Sequence, residues 1–433
     1  MRRGVLGAGA ALLAAVKLAS AQPPTDPPTA PAPTAIPQPS DFTPVAIDPN
    51  GVAPRTWIDN HQGPDVTAWA EVAYGFWWLN NGPILFPLAQ AGPPVNRLLG
   101  ANDFDFGTFV AGKLDGGFWF NRCHTLGVYY GGLITEQRAI TDFLISDAAG
   151  VPPISRPFIN ALDGQSAALV VAQPGFALGG FSMRADSQLF GAEFGGLRNL
   201  FQCDNYTVNL RAGYRFLDLD ENLELSQVTQ RLDGQPIPYG RLPESTAGQS
   251  AGTILIQDRF HTRNSIFAGS IGFDGEYRWG RLVTSLKSIV SLGTNHQSVE
   301  NIGQTSALDG SGSVSGGLLA LPGIPARLTP PVPAIPNANF GRNSINRFVI
   351  VPEVGVKLGW QATQALRFTV GYDFIYVNDV ARPGTQVDAV VNQRYVPVSP
   401  VYGTTAGPAS PTFTYRSETF YAQGVNLGVE LRY

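Results

Sequence analysis

The sequence predicts an all-β protein: a closed antiparallel transmembrane β-barrel of about 10 strands, with short periplasmic turns and long extracellular loops. Three observations predict it: a charge-poor composition, long segments in which apolar and polar residues alternate, and connections that are alternately short and long. Of the 433 residues, 44% are hydrophobic and only 14% charged, with 49 glycines and 35 prolines; water-soluble domains run near ~25% charged. Apart from a short N-terminal run, the sequence has no stretch of the ~18 consecutive apolar residues that a membrane helix needs. The formal charge of −4 and the absence of Lys/Arg runs exclude a nucleic-acid-binding field. Two cysteines are too few for a disulfide scaffold or a metal cluster.

Residues 1–21 read as a signal peptide. Arg2 and Arg3 supply the positive start, Gly4 to Val16 an apolar stretch too short to span a bilayer, and Ala19-Ser20-Ala21 a small-residue cleavage site. Lys17 interrupts that run, and a retained N-terminal anchor is the alternative. Residues 22–60 read as a Pro-rich disordered periplasmic segment, with eleven prolines between Gln22 and Pro54. Such a composition cannot bury a core and favours extended, solvated chain. A tether is the simpler reading; a ligand for a binding module is the other. Residues 61–433 are the outer-membrane barrel, with alternation beginning near Val66.

Ten strand candidates lie near 66–79, 105–121, 124–137, 184–198, 205–219, 263–279, 281–293, 343–360, 365–378 and 417–433. In the last, Val425, Leu427, Val429, Leu431 and Tyr433 share one face, opposite Asn426, Gly428, Glu430 and Arg432. Leu366 to Tyr376 and Phe348 to Trp360 repeat the pattern. Several segments exceed the five or six residues usual in soluble strands and meet the ~9–11 of a tilted membrane strand. Trp69, Tyr74, Phe76, Trp77 and Trp78 crowd the first strand, and Tyr277 and Trp279 end the sixth, as interfacial girdles do.

Short turns fall around 121–124, 199–204, 280 and 361–364; the other connections, 80–104, 138–183, 220–262, 294–342 and 379–416, run 25 to 50 residues. Short turns on one side and long loops on the other are the outer-membrane arrangement. An open sheet edge would leave backbone groups unpaired in hydrocarbon, so the sheet must close. Twelve strands is the alternative, if Leu223–Gln230 and Ile254–Phe260 enter the membrane rather than extend strands above it.

With the apolar wall on lipid, the lumen receives Glu71, Lys113, Asp115, Glu193, Arg211, Arg215, Asp274, Glu276, Arg278, Lys287, Glu353, Lys357, Arg367, Asp373, Glu430 and Arg432, eight acidic and eight basic. One Arg or Lys facing mid-bilayer lipid costs ~2–4 kcal/mol, so their shared phase supports this orientation. The balance of signs is compatible with ion pairs that partly fill a narrow barrel, or with a constriction whose opposed patches orient polar solutes.

The runs DSQLFGAE (186–193), GYRFLDLDE (213–221), DRFHTRN (258–264), GEYR (275–278), LGTNHQ (292–297), VPEVG (351–355) and YAQGVNLGVELRY (421–433) resemble the seventh family of beta-barrel porins of the bacterial outer membrane. The likeness covers nearly all of residues 66–433, with the motifs in order. It implies a Gram-negative-type outer-membrane location, barrel architecture, and outer-membrane lipid and the barrel-assembly machinery as partners. Outer-membrane barrels commonly end in Phe as the assembly signal; here Tyr433 keeps the aromatic ring. The resemblance implies no catalytic residue.

Other chemistry finds little support. Gly248-Gln-Ser250-Ala-Gly252 matches a nucleophile pattern but lacks the strand before and the helix after. Asp218, Asp220 and Asn222 copy the start of a calcium loop, with Leu223 and Thr229 where glycine and glutamate belong. His61, His124, His261 and His296 show no metal-ligand spacing and read as solvated turn and loop residues. No cofactor or metal is expected. Cys123 and Cys203 fall in neighbouring short turns and form a disulfide or remain two separate thiols. The apolar Ala167–Ala172 run could plug the lumen, pair with a loop strand or meet a partner.

Three function classes follow. A passive channel for ions or small polar solutes is preferred, on the family resemblance. The alternative is a structural or surface-display barrel with a filled lumen whose loops bind partners. A barrel-embedded hydrolase would need a Ser/His pair on the lipid-facing wall, where the sequence places no histidine. The expectation is therefore a non-enzyme.

Overall fold

The structure, a computed structural model, describes residues 67–433 apart from 101, 122–123, 241–248, 325–326, 329–330, 333, 335 and 405–406. Ten long strands form the wall: β1 (Ala68–Leu79), β2 (Phe109–Trp119), β3 (Leu126–Thr135), β4 (Ala177–Gln202), β5 (Tyr206–Arg231), β6 (Thr253–Trp279), β7 (Leu282–Ala307), β8 (Gly341–Gln361), β9 (Leu366–Ala381) and β10 (Ser417–Arg432). Each pairs antiparallel with its sequence neighbours, and β10 returns to β1 with Val429 opposite Val72 and Val425 opposite Phe76. The ring is closed, and no wall strand presents an unpaired edge to lipid in the zone where all ten are present. Among the described residues no helix is long and apolar enough to cross a membrane.

The tightest turn shows how sequence sets register. Trp279 faces Leu282, so Gly280 and Arg281 form a two-residue hairpin loop. Gly280 has φ +59°, the left-handed first position that such hairpins reserve for glycine.

Apolar residues of one phase point away from the protein: Val72, Tyr74, Ile271, Phe273, Leu286, Val356, Leu358, Val370 and Leu427 are all exposed. Two sheets stacked on a dry interior would bury these side chains. On β6 the apolar phase runs from Phe267 to Trp279. That is ~40 Å along the strand and ~30 Å along the barrel axis at the usual tilt, close to the hydrocarbon thickness.

The strands β4 to β7 are 26, 26, 27 and 26 residues long, roughly 15 more than the bilayer requires. Leu223–Gln230 and Ile254–Phe260 are continuations of β5 and β6, with Leu223 facing Phe260. The ring therefore has ten strands, and the stretches 220–262 and 294–342 are strand for much of their length. In this projecting zone the two faces exchange character. Outward residues on β5 change from Leu210, Tyr214 and Phe216 to Asp218, Asp220 and Glu224, while inward residues change from Arg211 and Arg215 to Leu217, Leu219, Leu223 and Leu225. Water replaces lipid outside, so the apolar face must turn inward.

The loops fold over the open end. Ile154–Asn160 pairs with Ser166–Ala172, with Ala89–Ala91 and, in parallel, with Val390–Val391, tying three loops into one small sheet. The Ala167–Ala172 run thus pairs with a loop strand, and Val171 and Ala172 are buried in the core below it. A further segment, Arg138–Ile145, continues the line of β3 along the upper part of β4.

Candidate functional site: an ionic lumen under an apolar cap

All sixteen charged residues expected in the lumen lie on the inner face of the membrane zone, and each takes part in at least one ion pair. Many of these pairs cross the bore instead of joining neighbouring strands. Lys113 on β2 meets Asp373 on β9 at 2.5 Å, Lys357 on β8 meets Glu71 on β1, and Arg367 on β9 meets Glu276 on β6 at 2.7 Å. Arg215 on β5 holds Glu193 at 2.5 Å and reaches Glu353 on β8, while Lys287 on β7 bridges the same two carboxylates. At the turn end Arg278 and Arg432 join Glu276, and Glu430 lies between Arg367 and Arg432. Each carboxylate that lost water on entering the barrel faces a cation, the condition for a buried charge to be tolerated.

Neutral groups complete the lattice. Asn426 donates to Asp373 at 2.7 Å and accepts from the Trp77 indole at 2.9 Å. Thr369 donates to Glu71 at 2.5 Å. Trp77 is 1% exposed and points into the bore, and Trp69 lines it; only Tyr74, Phe76 and Trp78 of the β1 aromatic cluster face outward. The alternation of the strand forces this correction, since 69 and 77 share the phase of Glu71.

Between the turns and the ionic lattice lies a cavity of about 900 Å³, opening at the turn end, with Lys113, Asp115, Arg211 and Asp274 toward its floor. Above the lattice the bore fills with hydrocarbon. Trp77, Phe109, Leu133, Leu189, Leu217, Val351, Ile375 and Phe420 come from eight different strands, and all are buried in one cluster. Sequence reasoning missed this layer. Its signal was present in the steps of two from Leu217 to Leu225, but Glu221 interrupts them, and its partner Arg382 lies far along the chain at 2.8 Å.

A second buried ion pair fastens the cap. Asp258 accepts backbone N–H bonds from Leu318 at 3.0 Å, Leu319 at 2.8 Å and Ala320 at 2.8 Å, and meets Arg156 at 2.7 Å with both side chains fully buried. A Cβ on Gly317 would stand 2.1 Å from the Asp258 carboxylate, so only glycine allows the loop to close on it. The acid therefore holds residues Gly317–Ala320 at the top of the barrel.

The remaining candidates are dispersed. Asp218, Asp220 and Asn222 face outward on β5, paired with Arg263 at 2.7 Å, His261 at 3.0 Å and Arg259 at 2.8 Å, rather than forming a loop for calcium. His261 and His296 stand on strands, on the outer wall above the apolar band, because β6 and β7 extend beyond the bilayer. Ser250 lies in the short strand Gln249–Ala251, and Gly248 is outside the described residues. Cys203 is exposed; Cys123 and His61 lie outside the described residues. Among the described residues no group of three His, Cys, Asp or Glu could hold a metal ion.

A ten-strand ring with this lining and these motifs matches the family described as "Putative beta barrel porin-7" over residues 88–433. The chain belongs to this family. The family is described as a beta barrel porin, which agrees with the apolar band and the closed ring. No curated protein matches the chain. Among solved structures, the outer membrane protease OmpT from Escherichia coli is similar at 11% identity, over 85% of this chain and 97% of that one, with a TM-score of 0.36. A deletion mutant of the monoaromatic hydrocarbon channel TodX is similar at 7% identity, covering 86% and 91%, with a TM-score of 0.19. A Pseudomonas aeruginosa FadL homologue is similar at 9% identity, covering 84% and 90%, with a TM-score of 0.21. The activities named there belong to those proteins.

Proposed function

We propose that this porin-family barrel is closed as built: a structural or surface-display element of the outer membrane whose folded loops meet the exterior, and not an open passive pore. The apolar layer carries the reading. Side chains from eight strands meet above the ionic lattice and are buried against one another, with uncharged hydroxyls such as those of Thr135 and Ser291 buried beside them, so a hydrated ion passing that level would exchange most of its water for hydrocarbon. The family resemblance favours the channel class; the packing of the lumen favours the filled barrel. The reading is non-catalytic and needs no cofactor.

The rest of the envelope account is proposed with it. Residues 1–21 direct export, residues 22–60 form a periplasmic spacer, and residues 61–433 insert in the outer membrane with the short turns toward the periplasm and Tyr433 presented to the assembly machinery. Single-channel recording in a planar bilayer tests the central part, using protein shown to be folded by heat-modifiable gel mobility. No current steps are expected; stable steps of uniform size overturn the closed lumen.

One observation favours the channel reading: the cavity at the turn end is polar and reaches about halfway through the membrane zone, to the level of Ala73 and Arg211. On that reading, displacement of the Leu318–Leu321 segment from Asp258 frees the wall side chains packed with it in the same cluster to swing aside and open the bore. The variant Asp258→Ala then conducts where the native chain does not.

A further inference from the structure

The cavity at the turn end ends blindly on a guanidinium whose hydrogen bonds are unmade. Arg211 is 5% exposed, and its ring-like plane rests 3.9 Å from the Tyr129 ring centroid. Three carboxylates surround it, Glu193 at 3.7 Å, Asp274 at 3.8 Å and Asp115 at 3.9 Å. Every one of these separations is longer than the ~2.7–2.9 Å of a direct charge-assisted hydrogen bond. The Nε has no hydrogen-bond partner, nor does Oδ1 of Asp274. Other lumen cations each close at least one pair, as Lys113, Arg215 and Arg367 do at 2.5 to 2.7 Å, whereas all three ion pairs of Arg211 stay open.

From that floor one wall is aromatic. Asp115 on β2 faces Glu71, and one step nearer the mouth Gly117 faces Trp69. A Cβ on Gly117 would fall 2.6 Å from the Trp69 indole, so the glycine leaves room for the ring. Trp119 follows, its ring centroid 6.1 Å from that of Trp69. The cavity thus combines an aromatic wall of two indoles inclined at 41° with a floor where Nε of Arg211 and Oδ1 of Asp274 lack partners.

We propose that this cavity is a binding site for a small neutral polyhydroxyl solute of about disaccharide size, entering from the turn end. A hydroxyl both donates and accepts, so one hydroxyl can give its proton to Asp115 or Asp274 and receive one from Arg211, completing contacts that the charged groups hold too far apart. The C–H face of a sugar ring lies against the Trp69 indole, with Trp119, itself stacked on His124, beside it. The cavity lining carries seven acidic and eight basic residues, so an ion of either sign gains little net field. The volume of about 900 Å³ falls within the usual range for small-molecule sites. The proposal rests on the closed-lumen reading, because the blind end is what holds the solute.

The test is isothermal titration of the folded full-length protein in detergent with maltose and with sucrose, against lysine and glutamate as charged probes. Saturable binding of at least one disaccharide is expected, with the charged probes at least about tenfold weaker. Asp115→Ala removes one acceptor and weakens binding about tenfold. Gly371→Leu fills the cavity: a Cβ there meets nothing nearer than 3.5 Å, so the variant folds and loses binding. Asp220→Asn, on the outer wall, binds as the native chain does. Absence of saturable disaccharide binding, equal binding of lysine or glutamate, or full binding by Gly371→Leu overturns the proposal. Bilayer recording on the same preparation separates the two readings: current steps refute the closed lumen, whereas missing titration heat in a silent barrel refutes only the pocket.

Discussion

The lower and upper halves of this barrel are built from the same strands by opposite rules. In the lower half, the inward residues of β5 are Arg211 and Arg215 and the outward ones are Tyr214 and Phe216; in the upper half the inward residues are Leu217, Leu219, Leu223 and Leu225 and the outward ones Asp218, Asp220 and Glu224. The hydrogen-bonded ladder continues without a break across the boundary, with Phe216 facing Phe267 and Asp218 facing Ser265. The backbone does not distinguish the two halves; the solvent does. Where lipid lies outside, the hydrophobic effect gives no drive to bury apolar groups inward, and charges collect in the lumen and pair. Where water lies outside, the interior is packed with apolar side chains as in a soluble domain, pierced by the buried pairs Glu221–Arg382 and Asp258–Arg156.

The comparison breaks most readily at its two interiors. Arg215→Met leaves Glu193 and Glu353 with Lys287 as their one shared cation and should cost about 3–5 kcal/mol, read as a shift in urea unfolding of the vesicle-inserted barrel. A cost below about 1 kcal/mol would mean that water, not ion pairing, solvates the lumen. Leu223→Ala in the upper half should cost about 2–5 kcal/mol through the cavity it leaves, by the same measurement. The outer surfaces sharpen the contrast. Ile271→Arg in the lower half should cost about 2–4 kcal/mol, while Gln230→Arg, exposed on the upper wall, should stay within about 0.5 kcal/mol. A similarly small effect belongs to Arg263→Ala, which opens the outward Arg263–Asp218 pair; it should cost under about 1 kcal/mol and less still at high salt.

The lower half was legible in the sequence because its pattern is local. Alternation such as Val425 to Tyr433 needs no partner to be recognised, and the hairpin at Gly280 announces itself. The sixteen lumen charges followed from phase alone. The upper half was harder, since its strands were truncated where charged residues took the outward phase: Asp218 to Asn222 resembles a loop until Arg263, His261 and Arg259 are seen opposite. Which charges pair across the bore was not legible at all. Lys113 and Asp373 are 260 residues apart, and only closure of the ring brings β2 and β9 within reach. The same holds for Asp258, whose loop partners Leu318 to Ala320 carry no side-chain signal because they bind through their backbones.

The exchange of faces on one strand is the central claim, and spin labels placed singly at the even positions 210 to 226 of β5 test it directly. Collision with oxygen, which dissolves in lipid, should dominate at 212, 214 and 216; collision with a water-soluble nickel chelate should dominate from 218 onward, with the crossover between Phe216 and Asp218. Lipid-like relaxation continuing through 220 and 224, or nickel access at 212 and 214, would contradict the account.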